Sequence, residues 1–322
     1  MAHAAGSTDG APRDVGGRIT GEVGHAVVGQ RLMIEQMLIA LCAGGHVLLE
    51  GPPGTAKTLA VNALARAMRC DFKRVQFTPD LMPADIVGTH VFDFKAQEFT
   101  LRRGPVFTDL LLADEINRAP AKTQAALLEG MQERQVTIDG VSQPLPPLFT
   151  VFATQNPIEF EGTFPLPEAQ LDRFLLKVVV PYPSKEEEDG ILAAYQTGFD
   201  PCRLEAVQSV TDRAAMLAVR AAVGRVQVVP EVMGYTTEIV RRTRELPTIA
   251  VGASPRASVA LFLAAKARAA LAGRDFVTPD DVQALAAPAL RHRVLLKPEA
   301  EIEGATADAC IAQIVESVAV PR

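Results

Sequence analysis

The chain has no tryptophan, and aromatic residues make up only 5% of its 322 residues. A core must therefore be built from Ala, Val, Leu and Ile, and a hydrophobic share of 48% is ample for one. No apolar run approaches the roughly 20 residues of a membrane-spanning helix. No basic segment followed by an apolar one marks a secretory signal. We therefore expect a cytoplasmic protein without a membrane span.

Cysteine and histidine are too few and too scattered to suggest a metal site. The cysteines lie too far apart for a metal clip or a disulfide framework, and we expect mostly buried, reduced thiols at Cys42, Cys70, Cys202 and Cys310. The histidines share no metal-ligand spacing. The net charge of −6 argues weakly against a general nucleic-acid-binding protein, which would favour a basic stripe.

The most informative motif is a glycine-rich loop between an apolar run, 46–49, and a helical pattern, 58–68. Its residues are Gly51, Pro52, Pro53, Gly54, Thr55, Ala56, Lys57 and Thr58. In a strand–loop–helix context, backbone N–H groups can surround a polyphosphate at the helix N-terminus. Lys57 can reach the β- and γ-phosphates, and the Thr58 hydroxyl can ligate Mg²⁺. The alternative is a chance turn before a buried helix. Ala56 stands where glycine is usual.

A second motif is an apolar strand, 110–113, that ends in Asp114 and Glu115. Such strands deliver their C-terminal residues to a ligand crevice. Asp114 can hold the Mg²⁺ hydration shell, and Glu115 can polarise a water towards the γ-phosphate. Alone, the pair could be an ordinary strand end, but the phosphate-binding loop upstream favours the chemical interpretation.

Three further polar residues are candidates for the same site. Asn156 follows an apolar strand and could hydrogen-bond the attacking water or the γ-phosphate, although asparagine before proline is often a turn former. Arg173 precedes a strand, and Arg256 lies near a helix start from which it could reach the phosphates. Either arginine could instead form only a surface salt bridge.

The order of patterns along the chain predicts a doubly wound α/β core. Residues 1–18 are poor in apolar side chains and predict a disordered leader, and a helix is expected over 31–42. The alternating strands are expected at Val47–Leu49, Phe72–Phe77, Leu110–Ala113, Phe149–Ala153 and Phe174–Val180. Two segments, 91–101 and 135–141, predict β-hairpins that are either inserted functional elements or merely surface hairpins.

The chain beyond Pro183 predicts helix after helix. Ser184 with Glu187 has capping-box spacing, Thr211 can cap a helix that Gly224 ends, and Ser254 precedes a proline at the first helical position. Thr278 begins the last clear helix. We therefore expect a core over 19–183, connecting helices over 184–228 and an α-helical lid over 229–322.

Taken as a set, these motifs resemble the MoxR family of AAA+ ATPases. The resemblance extends from about Ile19 to Arg293, and the motifs that carry it are 28–30, 51–58, 114–118, 154–157, 166–174 and 252–256. Alanine before the lysine is common in that family, so Ala56 agrees with it. The two hairpins correspond to its helix-2 insert and pre-sensor-1 insert.

The resemblance implies a role for each matching residue. Gly29 and Gln30 would border the adenine, residues 51–58 would form the Walker A loop, and Asp114 and Glu115 would form Walker B. Asn156 would be sensor 1, Arg173 the arginine finger and Arg256 sensor 2, with Arg118 a further candidate at a subunit interface. An arginine finger acts on a neighbour's nucleotide, so a homo-oligomer, as a ring hexamer, is expected.

Three functions follow as hypotheses. The first is an ATP- and Mg²⁺-dependent, chaperone-like remodeller; the family's usual partners are von Willebrand A domain proteins, and its tasks are maturation of, or metal-cofactor insertion into, a client enzyme. The second is an ATP-dependent assembly switch. The third is a nucleic-acid motor, against which the hairpins argue because Lys95 is offset by Glu98 and 135–141 holds no basic residue. We expect no nucleic-acid partner.

Overall fold

The computed structural model describes residues 11–95, 97–156, 163–200 and 204–321. Residues 1–10 of the expected leader, Pro157 and Cys202 lie outside the described residues. In the described part of the chain the strands are β1 (Val47–Glu50), β2 (Phe72–Gln76), β3 (Gly88–Asp93), β4 (Glu98–Arg103), β5 (Leu110–Asp114), β6 (Gln135–Ile138), β7 (Val141–Pro144), β8 (Thr150–Gln155), β9 (Leu176–Val179), β10 (Ile249–Val251) and β11 (Leu295–Leu296).

The helices of the same ranges surround and follow these strands. They are α1 (Pro12–Ala26), α2 (Arg31–Cys42), α3 (Lys57–Ala67), α4 (Pro83–Val87), α5 (Ala121–Glu133), α6 (Glu168–Leu171), α7 (Lys185–Gln196), α8 (Arg213–Arg225), α9 (Pro230–Arg242), α10 (Pro255–Leu271), α11 (Pro279–Leu290), α12 (Pro298–Ile302) and α13 (Ala307–Ser317).

A parallel sheet with the spatial order β2-β5-β8-β1-β9 forms the centre of the core. Its inner strands are continuous apolar runs because both faces are covered. Val47 and Leu49 pack into the cluster that α1, α2 and α3 share with the later helices, whereas Leu48 packs into the opposite cluster with α5. This alternation is the two-residue period of a strand. The predicted positions of all five strands are confirmed within two residues.

Both predicted hairpins are present as separate two-stranded antiparallel sheets, β3–β4 and β6–β7. Asp139 and Gly140 form the second turn with positive φ values of 49° and 80°, as an Asp-Gly turn requires. His90 of the first hairpin contacts the carboxylate of Asp139 at 2.6 Å. The two hairpins are therefore joined to each other as well as to the core.

The helical region after β9 is confirmed, but one start signal was assigned to the wrong residue, and the helix expected to be the last clear one is followed by α12 and α13. The predicted capping box forms, because Ser184 N donates to the Glu187 carboxylate and Glu187 N donates to the Ser184 hydroxyl. Thr211, however, does not cap α8. Asp212 does so, with its carboxylate accepting from Ala215 N at 2.9 Å, since a carboxylate also complements the helix dipole. The helix ends at Arg225, so Gly224 lies inside it.

The expected disordered leader is wrong over residues 12–18, which form the first half of α1. Val15, Ile19 and Val23 are buried at four-residue spacing, a helical pattern that the surrounding glycines obscure in the sequence. The glycine at position 16 has a packing role: a β-carbon there would lie 2.7 Å from the Leu271 side chain of α10. Close helix packing therefore outweighs the low helix propensity of glycine.

These elements make an α/β core with a parallel sheet and two inserted hairpins, followed by a helical region, as predicted. The division of the later helices into connecting helices, 184–228, and a lid, 229–322, stays a prediction. Among the described residues, every helix is too short or too polar to cross a membrane.

Candidate functional site

The loop between β1 and α3 has the backbone geometry of a phosphate cradle. A β-carbon at position 51 would lie 2.3 Å from the carbonyl oxygen of Val180, so only glycine fits there. Gly54 has a φ of 81°, in the left-handed region that favours glycine. Ala56 shares that region with a φ of 60°, although it carries a β-carbon. The loop is therefore held in a strained conformation immediately before the N-terminus of α3.

Lys57 lies at the centre of this loop. Its ammonium donates to the carbonyl oxygens of Gly51 and Pro52 at 2.7 Å each and to the Thr55 hydroxyl at 3.3 Å. Burial lowers the pKa of Lys57 below its usual value, and the neighbouring charges of Asp114 and Glu115 partly oppose that decrease. The side chain therefore presents a positive charge from a fixed, half-buried position.

The Asp114 carboxylate at the end of β5 is fixed from both neighbouring strands. Its Oδ1 accepts from the hydroxyl of Thr154 on β8 at 2.5 Å. Its Oδ2 accepts from two nitrogens of Arg74 on β2 at 3.0 and 2.6 Å. Since these partners come from the same end of the sheet, the carboxylate has one defined orientation.

Glu115 follows with its backbone in the left-handed region, at a φ of 56°. Its N–H donates to the Thr154 hydroxyl oxygen at 2.8 Å, so Thr154 connects both carboxylate residues. The Glu115 carboxylate accepts from Gln76 at 2.6 Å and lies 3.2 Å from Arg118. Because Arg74 donates to both Asp114 and Gln76, the Glu115 carboxylate is connected through Gln76 to the Asp114 network, and Arg118 lies on its other side.

A cavity of about 440 Å³ joins the loop to these strand ends. Its lining includes the predicted residues Pro53, Gly54, Thr55, Ala56, Lys57, Thr58, Asp114, Glu115 and Asn156. Its opposite wall is more apolar and comes from Val27 and Val28 before α2 and from Ile191, Tyr195 and Phe199 in and after α7. This arrangement has a polar end for phosphates and an apolar end for a flat ring.

Four predicted nucleotide-binding residues border the cavity without lining it. Gly51 and Pro52 begin the loop, and their carbonyls accept hydrogen bonds from the Lys57 ammonium. Gly29 has a φ of 71°, and a β-carbon there would overlap the Glu187 carboxylate. Gln30 donates to the Pro181 carbonyl at 3.0 Å. Gly29 and Gln30 therefore fix the backbone conformation beside the apolar end of the cavity.

Arg173 lies outside the cavity of its own chain. It lines a separate surface pocket of about 180 Å³ with Glu129, Glu133 and Gln170. One terminal nitrogen donates to the Leu128 carbonyl at 2.6 Å, while its Nε is buried without a hydrogen-bond partner among the described residues. Sequence patterns placed Arg173 among the candidates for the phosphate site. In the structure of one chain, Arg173 lies apart from the residues that line the cavity.

Arg256, at the start of α10, also lies outside that cavity. It is half exposed and approaches the Asp172 carboxylate at 3.9 Å. The preceding Ser254 is at the N-cap position as predicted, but its hydroxyl donates to Asp172 at 3.3 Å and does not cap the helix. Arg256, which was expected at the phosphates, therefore approaches Asp172, the residue next to Arg173.

Three polar residues that build the site had no predicted role: Arg74 and Gln76, which lie outside the motifs, and Thr154, which lies within the motif 154–157. The first two alternate along β2, so they share a face, and β2 pairs with β5 with Gln76 opposite Asp114. Polar residues at two-residue spacing on a strand were the available signal. Their partners depend on strand order, which the sequence did not give.

The residues present fit a magnesium nucleotide. Gly54 of the loop lines the cavity, and no side chain of the described residues caps the N-terminus of α3, so its first N–H groups are left for an acceptor such as a phosphate. Thr58 and Asp114 line the same cavity and are the oxygen ligands that Mg²⁺ prefers. Triphosphate and metal would therefore share one end of the cavity.

Comparisons with known proteins agree with this geometry. A profile of the ATPase family associated with various cellular activities (AAA) matches residues 46–176, and a profile of the AAA lid domain matches residues 241–314. Chaperone MoxR1 of Mycobacterium tuberculosis is 45% identical over 310 residues, which are 94% of this chain and 81% of that protein.

Two further relatives cover nearly the whole chain. Protein MoxR of Methylorubrum extorquens is 34% identical over 314 residues, or 91% of each chain. A crystal structure of a candidate ATPase from Cytophaga hutchinsonii is 43% identical, with a TM-score of 0.88, and the match covers 97% of this chain and 96% of that one. The similarity therefore includes both the strand-end cavity and the helical region.

Proposed function

The chain belongs to the MoxR family of AAA+ ATPases, and from this premise we propose that it hydrolyses Mg²⁺-bound ATP to remodel client proteins as a cytoplasmic ring. Its ATPase activity and chaperone-like role come with the family. The magnesium ion, the ring, the cellular location and the client are parts of the proposal.

One observation carries the proposal: Lys57, Asp114 and Glu115 line one cavity, whereas Arg173 lies on another surface of the same chain. The first three residues can bind and activate a triphosphate but leave transition-state charge on its γ-phosphoryl group. A guanidinium from elsewhere would compensate that charge. The separation supports a site completed by Arg173 of a neighbouring copy.

Within the cavity each side chain has a distinct role. The backbone of the loop 51–58 and the Lys57 ammonium would bind the β- and γ-phosphates, and Thr58 and Asp114 would hold Mg²⁺. The chemistry that Mg²⁺ supplies when bound is neutralisation of charge on the phosphate oxygens. Glu115 orients and polarises the attacking water, and Asn156 hydrogen-bonds that water or the γ-phosphate. Positioning and charge compensation therefore supply most of the catalysis.

A heterologous contact, in which Arg173 of each copy reaches the cavity of the next, generates a closed ring when its rotation closes. We propose a hexamer. Arg256 would sense the nucleotide from the lid, and hydrolysis would move the lid against the core. Arg118 would contribute at the same interface.

The hairpins would transmit that motion to a client. Phe94 and Phe99 of the β3–β4 hairpin are 86% and 70% exposed. Each of their rings contacts the ring of Phe92 edge to face. Exposed aromatic side chains favour protein contacts. The proposed partners are a von Willebrand A domain protein and a client enzyme that is matured or receives its metal cofactor; no nucleic acid is involved.

The test is Mg²⁺-dependent ATPase activity of the purified protein across a concentration series. We expect slow turnover that rises with assembly, disappears with EDTA and falls by about 10²–10⁴-fold in Glu115→Gln. Glu188→Gln, an exposed change on α7, is the matched control and should leave the rate unchanged. Activity that is absent at every concentration, or that Glu115→Gln leaves intact, would contradict the proposal.

An ATP-dependent assembly switch is the alternative, and the engagement of the Glu115 carboxylate by Gln76 and Arg118 favours slow turnover of that kind. The two functions differ in what Glu115→Gln retains. A switch keeps both partner binding and its downstream effect when ATP persists, whereas a remodeller keeps binding and loses the effect on its client.

A further inference from the structure

The segment that carries Arg173 is held from the helical region. Arg293, just beyond α11, donates to the backbone carbonyls of Asp172, Phe174 and Leu175 at 3.0, 2.7 and 3.1 Å. Its Nε donates to the Asp172 carboxylate at 2.6 Å, and it also donates to the Ala289 carbonyl of α11. One guanidinium therefore binds the chain on both sides of Arg173.

The neighbouring histidine adds to this contact. His292 is buried, and its Nε2 lies 3.0 Å from the Phe174 carbonyl that Arg293 also binds. Burial lowers the pKa of His292 well below its usual value, so the ring is neutral and Nε2 donates. Two consecutive side chains from the end of α11 thus fix one carbonyl next to Arg173.

Arg293 itself is buried and paired with a carboxylate. Its side chain is 2% exposed, and its charge is compensated by Asp172. A buried charge persists only with near-ideal hydrogen bonding, and removal of one partner leaves the other uncompensated. Because the contact needs a planar donor fork, lysine cannot reproduce it although it keeps the charge.

The Arg173 side chain has fewer attachments of its own. Its terminal nitrogen donates to Leu128, and its buried Nε has no hydrogen-bond partner in the part of the chain that the structure describes. The direction of its guanidinium therefore depends on the backbone of residues 172–175. That backbone is what Arg293 and His292 hold.

We propose that Arg293, supported by His292, is a positioning residue that aims Arg173 at the nucleotide of the neighbouring copy. The inference rests on the proposed function, because it requires that Arg173 acts between copies. The residues at the end of α11 would then act on the active site of the neighbouring copy, in addition to any role in the active site of their own chain. A misplacement of about 1 Å can cost about 100-fold in rate.

The test uses Arg293→Lys, with Arg291→Lys as the matched control. Arg291 lies two residues earlier and donates to the Lys177 carbonyl of β9, so it also joins the lid to the core, but away from Arg173. We expect Arg293→Lys to lower kcat about 10–100-fold with unchanged ATP affinity, and Arg291→Lys to change kcat less than twofold. Thermal unfolding and binding of a fluorescent ATP analogue show whether each variant is folded.

Mixing experiments separate positioning from a structural role. Arg293→Lys retains an intact cavity, whereas Glu115→Gln retains an intact Arg173. An equal mixture of the two should recover about half the rate of an equal mixture of wild type and Glu115→Gln, since half of the intact cavities then face an intact Arg173. If Arg293 acts only within its own chain, the mixture shows no recovery, and the inference is overturned.

A parallel mixture of Arg173→Ala and Glu115→Gln distinguishes the two possible failures. Recovery in this mixture but not with Arg293→Lys contradicts the positioning role alone. No recovery in either mixture contradicts completion between copies, and with it the proposed function. An Arg293→Lys protein that is folded, binds ATP and turns over at the wild-type rate also overturns the inference.

Discussion

The nucleotide cavity and the surface around Arg173 hold their charged groups in opposite ways. In the cavity, Asp114 and Glu115 are fixed by Thr154 and by side chains of β2, all at one end of one sheet. Arg173 depends on a segment that Arg293 binds from the helical region. A single chain can therefore hold a preformed nucleotide cavity, whereas under the proposed function charge compensation would depend on the helical region and on a neighbouring copy.

The largest expected effect comes from removing the guanidinium of Arg173. Arg173→Ala should lower kcat by about 10³–10⁵-fold, because transition-state charge is left uncompensated. ATP affinity should change little, since Arg173 lies outside the cavity of its own chain. Steady-state kinetics and equilibrium nucleotide binding check both parts. Arg225→Ala, an exposed change at the end of α8, is the control, and an Arg173→Ala protein with undiminished kcat would contradict the account.

The next largest effect comes from removing a hydroxyl group in the nucleotide cavity. Thr154→Val keeps the side-chain shape but removes the hydroxyl that bonds both Asp114 and Glu115 N–H. The loss of a buried hydrogen-bonding group costs about 1–3 kcal/mol, so we expect about a 5- to 150-fold lower kcat and a higher Mg²⁺ requirement. A magnesium titration of the ATPase rate measures it. Thr137→Val on the β6–β7 hairpin should leave that titration unchanged.

A pH titration tests two buried neutral histidines, His46 immediately before β1 in the core and His292 beside Arg173. Burial, assisted by the charge of Arg134, lowers the pKa of His46 to about 3. The unfolded chain therefore binds more protons between about pH 6.5 and pH 3, and stability falls as the pH decreases through that window. Each such histidine contributes up to ~1.4 kcal/mol per pH unit.

Urea denaturation at pH 7.5 and pH 5.5 measures this difference. His46→Gln, which retains an amide donor for the Met131 carbonyl, should reduce the dependence on pH. An unfolding free energy that is the same at both pH values would show that these histidines are not held neutral in the folded protein.

The smallest effect concerns backbone strain at Ala56. Because its φ is 60°, Ala56→Gly should raise the free energy of unfolding by about 0.5–1 kcal/mol. Gly54→Ala, at a φ of 81°, is the reciprocal change and should lower it by a similar or larger amount. Differential scanning calorimetry compares the two. Opposite signs support strain in the loop, whereas destabilisation by both changes would argue that Ala56 packs too well to be replaced.

The sequence was sufficient for the elements of the core because their local patterns agree with their environment. A strand buried on both faces requires a continuous apolar run, as at 110–113, and an Asp-Gly turn with alternating flanks requires a hairpin, as at 135–141. The phosphate-binding loop is equally local: its glycines, lysine and threonine are consecutive. Sequence reasoning therefore found one half of the site without knowledge of the fold.

The sequence was insufficient where contacts depend on which elements become neighbours. Arg74 reaches Asp114 only because β2 lies beside β5, and Arg293 reaches Asp172 only because the end of α11 packs against that segment. The helical start over 12–18 was missed for a related reason. A glycine at position 16 suggests a flexible segment in the sequence, whereas in the structure it allows α10 to pack closely against α1. Long-range packing, in each case, decides what a residue does.

The most direct test of the central claim is the ATPase rate of an equal mixture of Arg173→Ala and Glu115→Gln protein, each nearly inactive alone. If the guanidinium of one copy completes hydrolysis in the next, the mixture should reach about a quarter of the wild-type rate per chain, because a quarter of the heterologous contacts pair an intact cavity with an intact Arg173. A mixture that remains as inactive as its two components, while native mass spectrometry shows that they assemble together, would contradict the account.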